Sequence, residues 1–334
     1  MSATEPLRAG TGATPVLEVD GLHVSFFTER GEWRVVRDVS FSVGPGETVA
    51  LVGESGCGKS VTALAVLGLL EKTGRIVHGD ARLGGQSLVA LSEEERQRLR
   101  GRRIGMIFQE PMTSLNPVFT IGDQIGEVVV RHMGAAPAAA RAQALQLLKT
   151  VGIPSPEQRI DQYPHELSGG MKQRVMIAMA IACKPDLLIA DEPTTALDVT
   201  IQAQILRLLH DLQREMGMAV LLITHNLGVV AHFARRVVVM YAGQIAEQAE
   251  THAIFRKPLH PYTRALLNSL PRPGARLEPI QGAVPAPGDY PAGCRFSTRC
   301  PDVMARCAGE VPPLCSPDRG RDVACWLYAD GEPK

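Results

Sequence analysis

The 334-residue sequence has no apolar run approaching the roughly 20 residues that a membrane-spanning helix requires. Its longest apolar stretches, such as Val49–Gly53 and Val237–Tyr241, have the length of buried strands. Met1 to Pro15 lacks the apolar core of a secretory signal and reads as a disordered tail. A chain with neither feature is expected in the cytoplasm, and at a membrane only if other subunits hold it there. Net charge is absent too, since 35 Lys and Arg balance 35 Asp and Glu. General affinity for nucleic acid needs clustered positive charge, so no nucleic-acid partner is expected. No internal repeat is visible. What is present is a hydrophobic fraction of 45%, enough for a substantial core, with 21% charged residues. The length suits two domains, or one large domain with an appendage.

Val16–Phe27 alternates apolar and polar residues, as does Val35–Val43, and both predict half-buried strands. Gly44-Pro45-Gly46 is a turn. Thr48–Val52 predicts a strand that runs into a Gly-rich loop and then a helix over Val61–Leu70. From about Leu88 to Leu148 the pattern is largely helical, notably Glu93–Arg103 and Ala135–Leu148, with a strand at Ile104–Phe108. A helix from Gly169 to Cys183 follows. Then strands Leu187–Ala190, Ala219–Thr224 and Val237–Tyr241 alternate with helices Ile201–Met216 and Leu227–Phe233. Such alternation implies an α/β fold with a parallel sheet. Proline clusters from Pro258 onward place a domain boundary near 258, with one short helix at Tyr262–Leu270.

Gly53-Glu54-Ser55-Gly56-Cys57-Gly58-Lys59-Ser60 matches G-x-x-x-x-G-K-[ST] between a strand and a helix. Glycines at Gly53, Gly56 and Gly58 let the backbone, Ser55 included, wrap phosphates. The helix N-terminus adds about half a unit of positive charge. Lys59 would reach the β- and γ-phosphates and Ser60 would bind Mg²⁺. Cys57 reads as a small loop filler, because this chemistry needs no thiol. Leu187–Ala190 ends in Asp191 and Glu192. Phosphoryl transfer needs a metal-holding carboxylate and a water-orienting one, and these two suit those roles in order.

Leu167-Ser168-Gly169-Gly170-Met171 followed by Lys172-Gln173-Arg174 resembles the signature motif of ABC ATPases. Gln109 in Phe108-Gln109-Glu110-Pro111 resembles the Q-loop, Ala196-Leu197-Asp198 the D-loop, and His225 in Ile223-Thr224-His225-Asn226 the switch histidine. The resemblance implies a P-loop NTPase cassette over 16–257 with a mixed or parallel sheet core. A helical signature subdomain is implied at about 88–184. Two cassettes would clamp ATP between one phosphate loop and the partner's Ser168, Gly169 and Gly170. Gln109 would touch Mg²⁺ and report to membrane subunits, and His225 would contact the γ-phosphate. Phe26 lies where the family places an aromatic residue on adenine, or is strand core. Asn226 departs from the Asp many relatives carry after the histidine, which puts a charge role there in doubt. The hydrolytic set Lys59, Asp191, Glu192 and His225 is intact, so a competent ATPase is expected.

Met171, Gln173–Ala180 and Asp191–Gln204 are similar to the oligopeptide and dipeptide importer ATPases, and the LSGGM form to their D-type subunit. His260-Pro261-Tyr262-Thr263-Arg264 and Cys294–Pro301 are similar to that branch's C-terminal extension, here 258–334. The resemblance implies a second ATPase subunit, two transmembrane permeases and an extracytoplasmic substrate-binding protein. The solute would be a peptide, or nickel or another solute of that branch. A soluble ABC ATPase outside transport is the alternative. Five of the seven cysteines crowd into the last 41 residues, separated by five, six, seven and nine residues. Zinc sites use closer pairs, and the spacing by itself points only to a soft-metal site. The resemblance implies a [4Fe–4S] cluster on Cys294, Cys300, Cys307 and Cys325, with Cys315 the extra. Zinc and unmetallated thiols remain open.

Overall fold

A computed structural model describes residues 14–109, 114–195, 197–270 and 280–329. Most of the expected tail at 1–15 lies outside them, as do Glu110, Pro111, Ala196 and the prolines at 271 and 273. The chain forms two compact units, one built from the segments up to Ala90 and from Ile223 onward, the other from Leu91–Leu222. Among the described residues no helix is long and apolar enough to cross a membrane.

Strands are numbered in chain order. The first unit opens with β1 (Leu17–Thr28), β2 (Gly31–Val43), β3 (Thr48–Val52), β4 (Gly74–Leu83) and β5 (Gln86–Ser87). Four of them make an antiparallel sheet ordered β2-β1-β4-β5. The half-buried alternation of β1 comes from having one packed face and one wet face. β4, which the sequence pattern did not predict, supplies the second neighbour of β1. β3 belongs to another ladder, with β9 (Arg236–Tyr241), β10 (Gln244–Glu250), β11 (Cys315–Asp318) and β12 (Arg321–Val323) in the order β11-β12-β10-β9-β3. β3 pairs with β9 in parallel, Val49 opposite Arg236 and Val52 opposite Val239. β10 and β12 run antiparallel to their neighbours, so the ladder is mixed.

The β9–β10 turn is Ala242-Gly243, with φ of 46° and 79°, the two positive angles that a two-residue hairpin demands. A Cβ on Gly243 would stand 1.7 Å from the Val35 carbonyl oxygen, so no other residue fits. The Gly243 N–H donates to the Cys57 carbonyl at 2.8 Å, which docks the turn on the Gly-rich loop.

The C-terminal extension contributes to the core of the cassette. Tyr262 and Phe296 are buried in one cluster with Val237, Val239 and Tyr241. The Tyr241–Tyr262, Tyr241–Phe296 and Tyr262–Phe296 ring centroids lie 4.6, 5.1 and 5.4 Å apart, and each such pair adds about 0.5–1.5 kcal/mol beyond area burial. Fully buried Glu247 on β10 accepts the N–H groups of Leu259 and His260 and the Arg321 guanidinium. Removing one partner from such a buried pair costs about 3–5 kcal/mol. His260 caps the helix Pro261–Asn268 by accepting the Tyr262 N–H at its Nδ1. Burial pushes His260 down to about 3, so the ring is neutral and able to accept.

The second unit has β6 (Ile104–Ile107), β7 (Leu187–Asp191) and the first four residues of β8 (Ala219–Thr224), in the order β8-β7-β6. β6 and β7 are parallel. Every residue of β7 and β8 is buried, which explains their unbroken apolar runs. Four helices of this unit begin on side-chain caps: Ser92 with Glu95 for Glu93–Leu99, Thr120 for Ile121–Met133, Ser168 for Gly169–Ile181 and Asp198 for Val199–Met216. Several sequence-based helix ends move. Glu93–Arg103 stops at Leu99 because Arg100 is extended. In the first unit the helix expected at Val61–Leu70 spans Lys59–Leu67, where Gly68 turns left-handed.

Candidate nucleotide site

The phosphate loop lies between β3 and the helix Lys59–Leu67, both in the first unit. Its first glycine is forced by a close approach: a Cβ on Gly53, at φ 152°, would meet the Met240 carbonyl oxygen at 2.2 Å. Gly56 and Gly58 also have positive φ, and Ser55 and Gly56 are exposed. Lys59 is 6% exposed. Its Nζ donates to the carbonyls of Gly53 at 2.9 Å and Glu54 at 3.0 Å, and lies 3.7 Å from the Cys57 sulfur. The ammonium therefore sits inside the loop, held by the carbonyls of the residues it must serve. Cys57 is fully buried. Burial raises its thiol pKa against the opposing pull of Lys59, which keeps it neutral and in the loop-filling place expected of it. Ser60 opens the helix and is half-buried.

Asp191 ends β7 and Glu192 follows it, in the second unit. Asp191 is 5% exposed. Glu192 is held at φ 46°, a left-handed backbone that costs a non-glycine residue about 1 kcal/mol or more. Its Oε2 accepts from Gln109 Nε2 at 3.0 Å and from Thr195 Oγ1 at 2.9 Å. The unit thus joins two of the residues singled out in the sequence, Gln109 and Glu192, and adds Thr195. Ser168 accepts the Met171 N–H and leaves Gly169 exposed and Gly170 half-buried at the helix start. A Cβ on Gly170 would stand 2.9 Å from Ile201. Asp198 accepts the Ile201 N–H at 3.0 Å.

In the first unit, exposed His225 follows β8. The Asn226 N–H donates to Thr224 Oγ1, and the Asn226 side chain caps the helix Leu227–Phe233 by accepting from Gly228 and Val229. An Asn caps as well as an Asp, so this departure from many relatives leaves the His225 loop supported. Phe26 is half-buried with its ring against Gly74, where an added Cβ would be 2.9 Å away.

In the extension, Cys307 is buried and its sulfur accepts the Met304 N–H at 3.4 Å. The Cys294 N–H donates to the Cys307 carbonyl at 2.9 Å. Burial pushes the thiols of Cys300 and Cys325 up to about 11 and about 12. Nearby thiol charges add to this. Cys325 feels Cys294, Cys300 and Cys307. Among the described residues no three His, Cys, Asp or Glu side chains are gathered as ligands of a metal ion.

Residues 36–195 match the family described as ABC transporter, and residues 246–307 match the oligopeptide/dipeptide transporter C-terminal region. A putative peptide import ATP-binding protein of Brucella melitensis is 53% identical over 331 residues, covering 95% of this chain and 98% of the relative. The chain belongs to the ABC transporter ATPases. The dipeptide transport ATP-binding protein DppD of Escherichia coli is 52% identical over 318 residues, covering 94% and 97% of the two chains. Among solved structures, the dimeric ATP-binding cassette MJ0796 in a post-hydrolysis state bound to ADP and Pi superposes with a TM-score of 0.64. It is 26% identical and covers 70% of this chain and 98% of its own. The fold is that of an ABC cassette, and the chain is an ATP-hydrolysing transporter subunit.

Two residues of this ABC ATPase that touch its phosphate loop carried no such signal in the sequence. The Glu54 N–H donates to the Tyr262 hydroxyl at 2.9 Å, and the Glu54 carboxylate is paired with Arg299. Tyr262 and Arg299 stood inside motifs that served only to mark the subfamily. Their partner lies 208 and 245 positions away, beyond any local pattern.

Proposed function

We propose that this ABC ATPase powers uptake of di- and oligopeptides across the cytoplasmic membrane, as a peripheral subunit on its cytoplasmic face. The observation that carries the reading is the match of residues 246–307 to the oligopeptide/dipeptide transporter C-terminal region, supported by the dipeptide-transport name of the Escherichia coli relative. We assign 16–257 to the cassette, its signature part to about 88–184, and 258–334 to the extension. Two permeases, an extracytoplasmic binding protein and a second, non-identical ATPase complete the assembly.

In this reading Lys59 takes the β- and γ-phosphates, and Ser60, Asp191 and Gln109 hold Mg²⁺. Hydroxyl, carboxylate and amide oxygens are the hard donors that this ion prefers, and Gln109 gives its nitrogen, not its oxygen, to Glu192. Bound Mg²⁺ supplies positive charge where negative charge gathers on the transferred phosphoryl group. Glu192 orients the attacking water and takes its proton. Gln109 and Thr195 fix the carboxylate for that task, so that orientation is set before the substrate arrives. His225 contacts the γ-phosphate. Ser168, Gly169 and Gly170 open a helix of 13 residues and present its N–H groups to the ATP on the partner subunit, with Asp198 beside that interface.

The reading is tested with the complete complex in proteoliposomes. Binding protein loaded with peptide is expected to raise ATP turnover several-fold. Stimulation by nickel-loaded binding protein alone, or failure to co-purify with permeases, would overturn it.

The extension is read as holding a [4Fe–4S] cluster on Cys294, Cys300, Cys307 and Cys325. What supports the reading is the crowding of these cysteines in one short segment that contributes Phe296 to the aromatic core of the cassette. Anaerobically purified protein should contain about four irons per chain. Zinc, or no metal, in that preparation would refute the assignment.

A further inference from the structure

The residue after the first glycine of the phosphate loop carries a negative charge where a triphosphate must bind. Glu54 is tied at three points. Its N–H donates to the Tyr262 hydroxyl at 2.9 Å. Its carbonyl accepts from Lys59 Nζ at 3.0 Å. Its carboxylate receives a two-pronged bond from Arg299, Nη1 to Oε2 at 2.7 Å and Nη2 to Oε1 at 3.1 Å. The Arg299 side chain is 4% exposed and that of Glu54 is 28% exposed.

Arg299 is itself fixed. Its Nε donates to the Gln281 carbonyl at 2.8 Å, and Nη1 also reaches the Tyr241 hydroxyl at 3.2 Å. Arg299 comes from the extension, directly before Cys300, and Tyr262 from the helix Pro261–Asn268. Two parts of the extension thus grip one residue of the phosphate loop. A planar guanidinium held at both faces of its fork suits this task better than a mobile ammonium.

We propose that Arg299 is a positioning residue for ATP binding: it neutralises the Glu54 carboxylate, turns it away from the incoming phosphates, and so makes the nucleotide affinity of the loop depend on the C-terminal extension. This rests on the chain being an ABC ATPase and not on the identity of the solute.

The physical consequence is a sign that ordinary packing would not give. Without Arg299, an uncompensated carboxylate faces a ligand of like charge, and the repulsion is removed by neutralising Glu54 as well. The test measures Mg²⁺–AMP-PNP binding to the full-length chain by calorimetry, with thermal unfolding of each variant alongside. Arg299→Gln is expected to weaken binding about tenfold at low salt, equivalent to about 1.4 kcal/mol. The penalty is expected to shrink as ionic strength rises, because a charge at the surface of the loop is screened. Adding Glu54→Gln to Arg299→Gln is expected to bring affinity back to within about threefold of the parent. Arg299→Lys, which keeps the charge and loses the fork, is expected to fall between the parent and Arg299→Gln, and it serves if Arg299→Gln does not fold. Unchanged affinity in Arg299→Gln, or a double variant as weak as Arg299→Gln alone, overturns the proposal. So does a penalty indifferent to salt.

Discussion

Replacing Glu192 by Gln is expected to lower ATP turnover about a thousandfold while Mg-ATP binding persists. The substitution keeps the shape of the side chain. Gln109 Nε2 and Thr195 Oγ1 both donate to one oxygen, Oε2, and a Gln amide oxygen can still accept from both. The backbone at φ 46° is unchanged in kind, since Gln and Glu meet the same steric cost there. What is lost is the negative charge and the ability to take the proton of the attacking water. General-base catalysis of this sort is worth about 10²–10⁴-fold, or on the order of 4 kcal/mol of barrier for the middle of that range. Single-turnover hydrolysis and nucleotide binding, measured together on the assembled complex, separate the two effects. Turnover within tenfold of the parent would show that another group holds the water, and lost nucleotide binding would show that Glu192 serves a structural purpose instead.

Lys59→Met is expected to act at the earlier step and to weaken Mg-ATP binding about a hundredfold, by about 2.7 kcal/mol. The thioether occupies much the same space as the lysine stem, so the loop should keep its fold. In the parent the ammonium is almost wholly buried and spends its hydrogen bonds on the Gly53 and Glu54 carbonyls. Those neutral acceptors hold it ready without competing strongly with phosphate oxygens. A hydrogen bond to a charged partner is worth about 1.5–3 kcal/mol, and Lys59 has donors for more than one. Calorimetric titration of the full-length variant with Mg-ATP reads the loss, and an affinity within threefold of the parent would deny Lys59 its phosphate contact. The two variants are complementary: Glu192→Gln binds without turning over, and Lys59→Met fails to bind.

The parts of this molecule that could be read from sequence are those in which chemistry uses neighbouring residues. Gly53 to Ser60 had to follow one another because a single turn of backbone wraps the phosphates. Ser168 and Asp198 were recognisable through contiguous family motifs, and each caps a helix in the fold. The unbroken apolar runs of β7 and β8 follow from burial on both faces. Harder to read were β4, β10 and β12, whose short or weakly patterned segments gain their place only by pairing with a strand already there. Cysteine spacing could not choose four thiols out of five. The family resemblance named Cys294, Cys300, Cys307 and Cys325.

By itself the sequence determined the class of chemistry, a triphosphate bound on a Gly-rich loop with a carboxylate pair for hydrolysis, since each motif is contiguous and its physics local. Tertiary structure alone decided that Glu54 meets Arg299 and Tyr262, that Glu247 is satisfied by Leu259, His260 and Arg321, and that the extension shares the aromatic core of the cassette. These contacts join residues tens to hundreds of positions apart. They are chosen by which surfaces must be covered and which buried charges must be paired, a condition of the whole fold that no short stretch of sequence records.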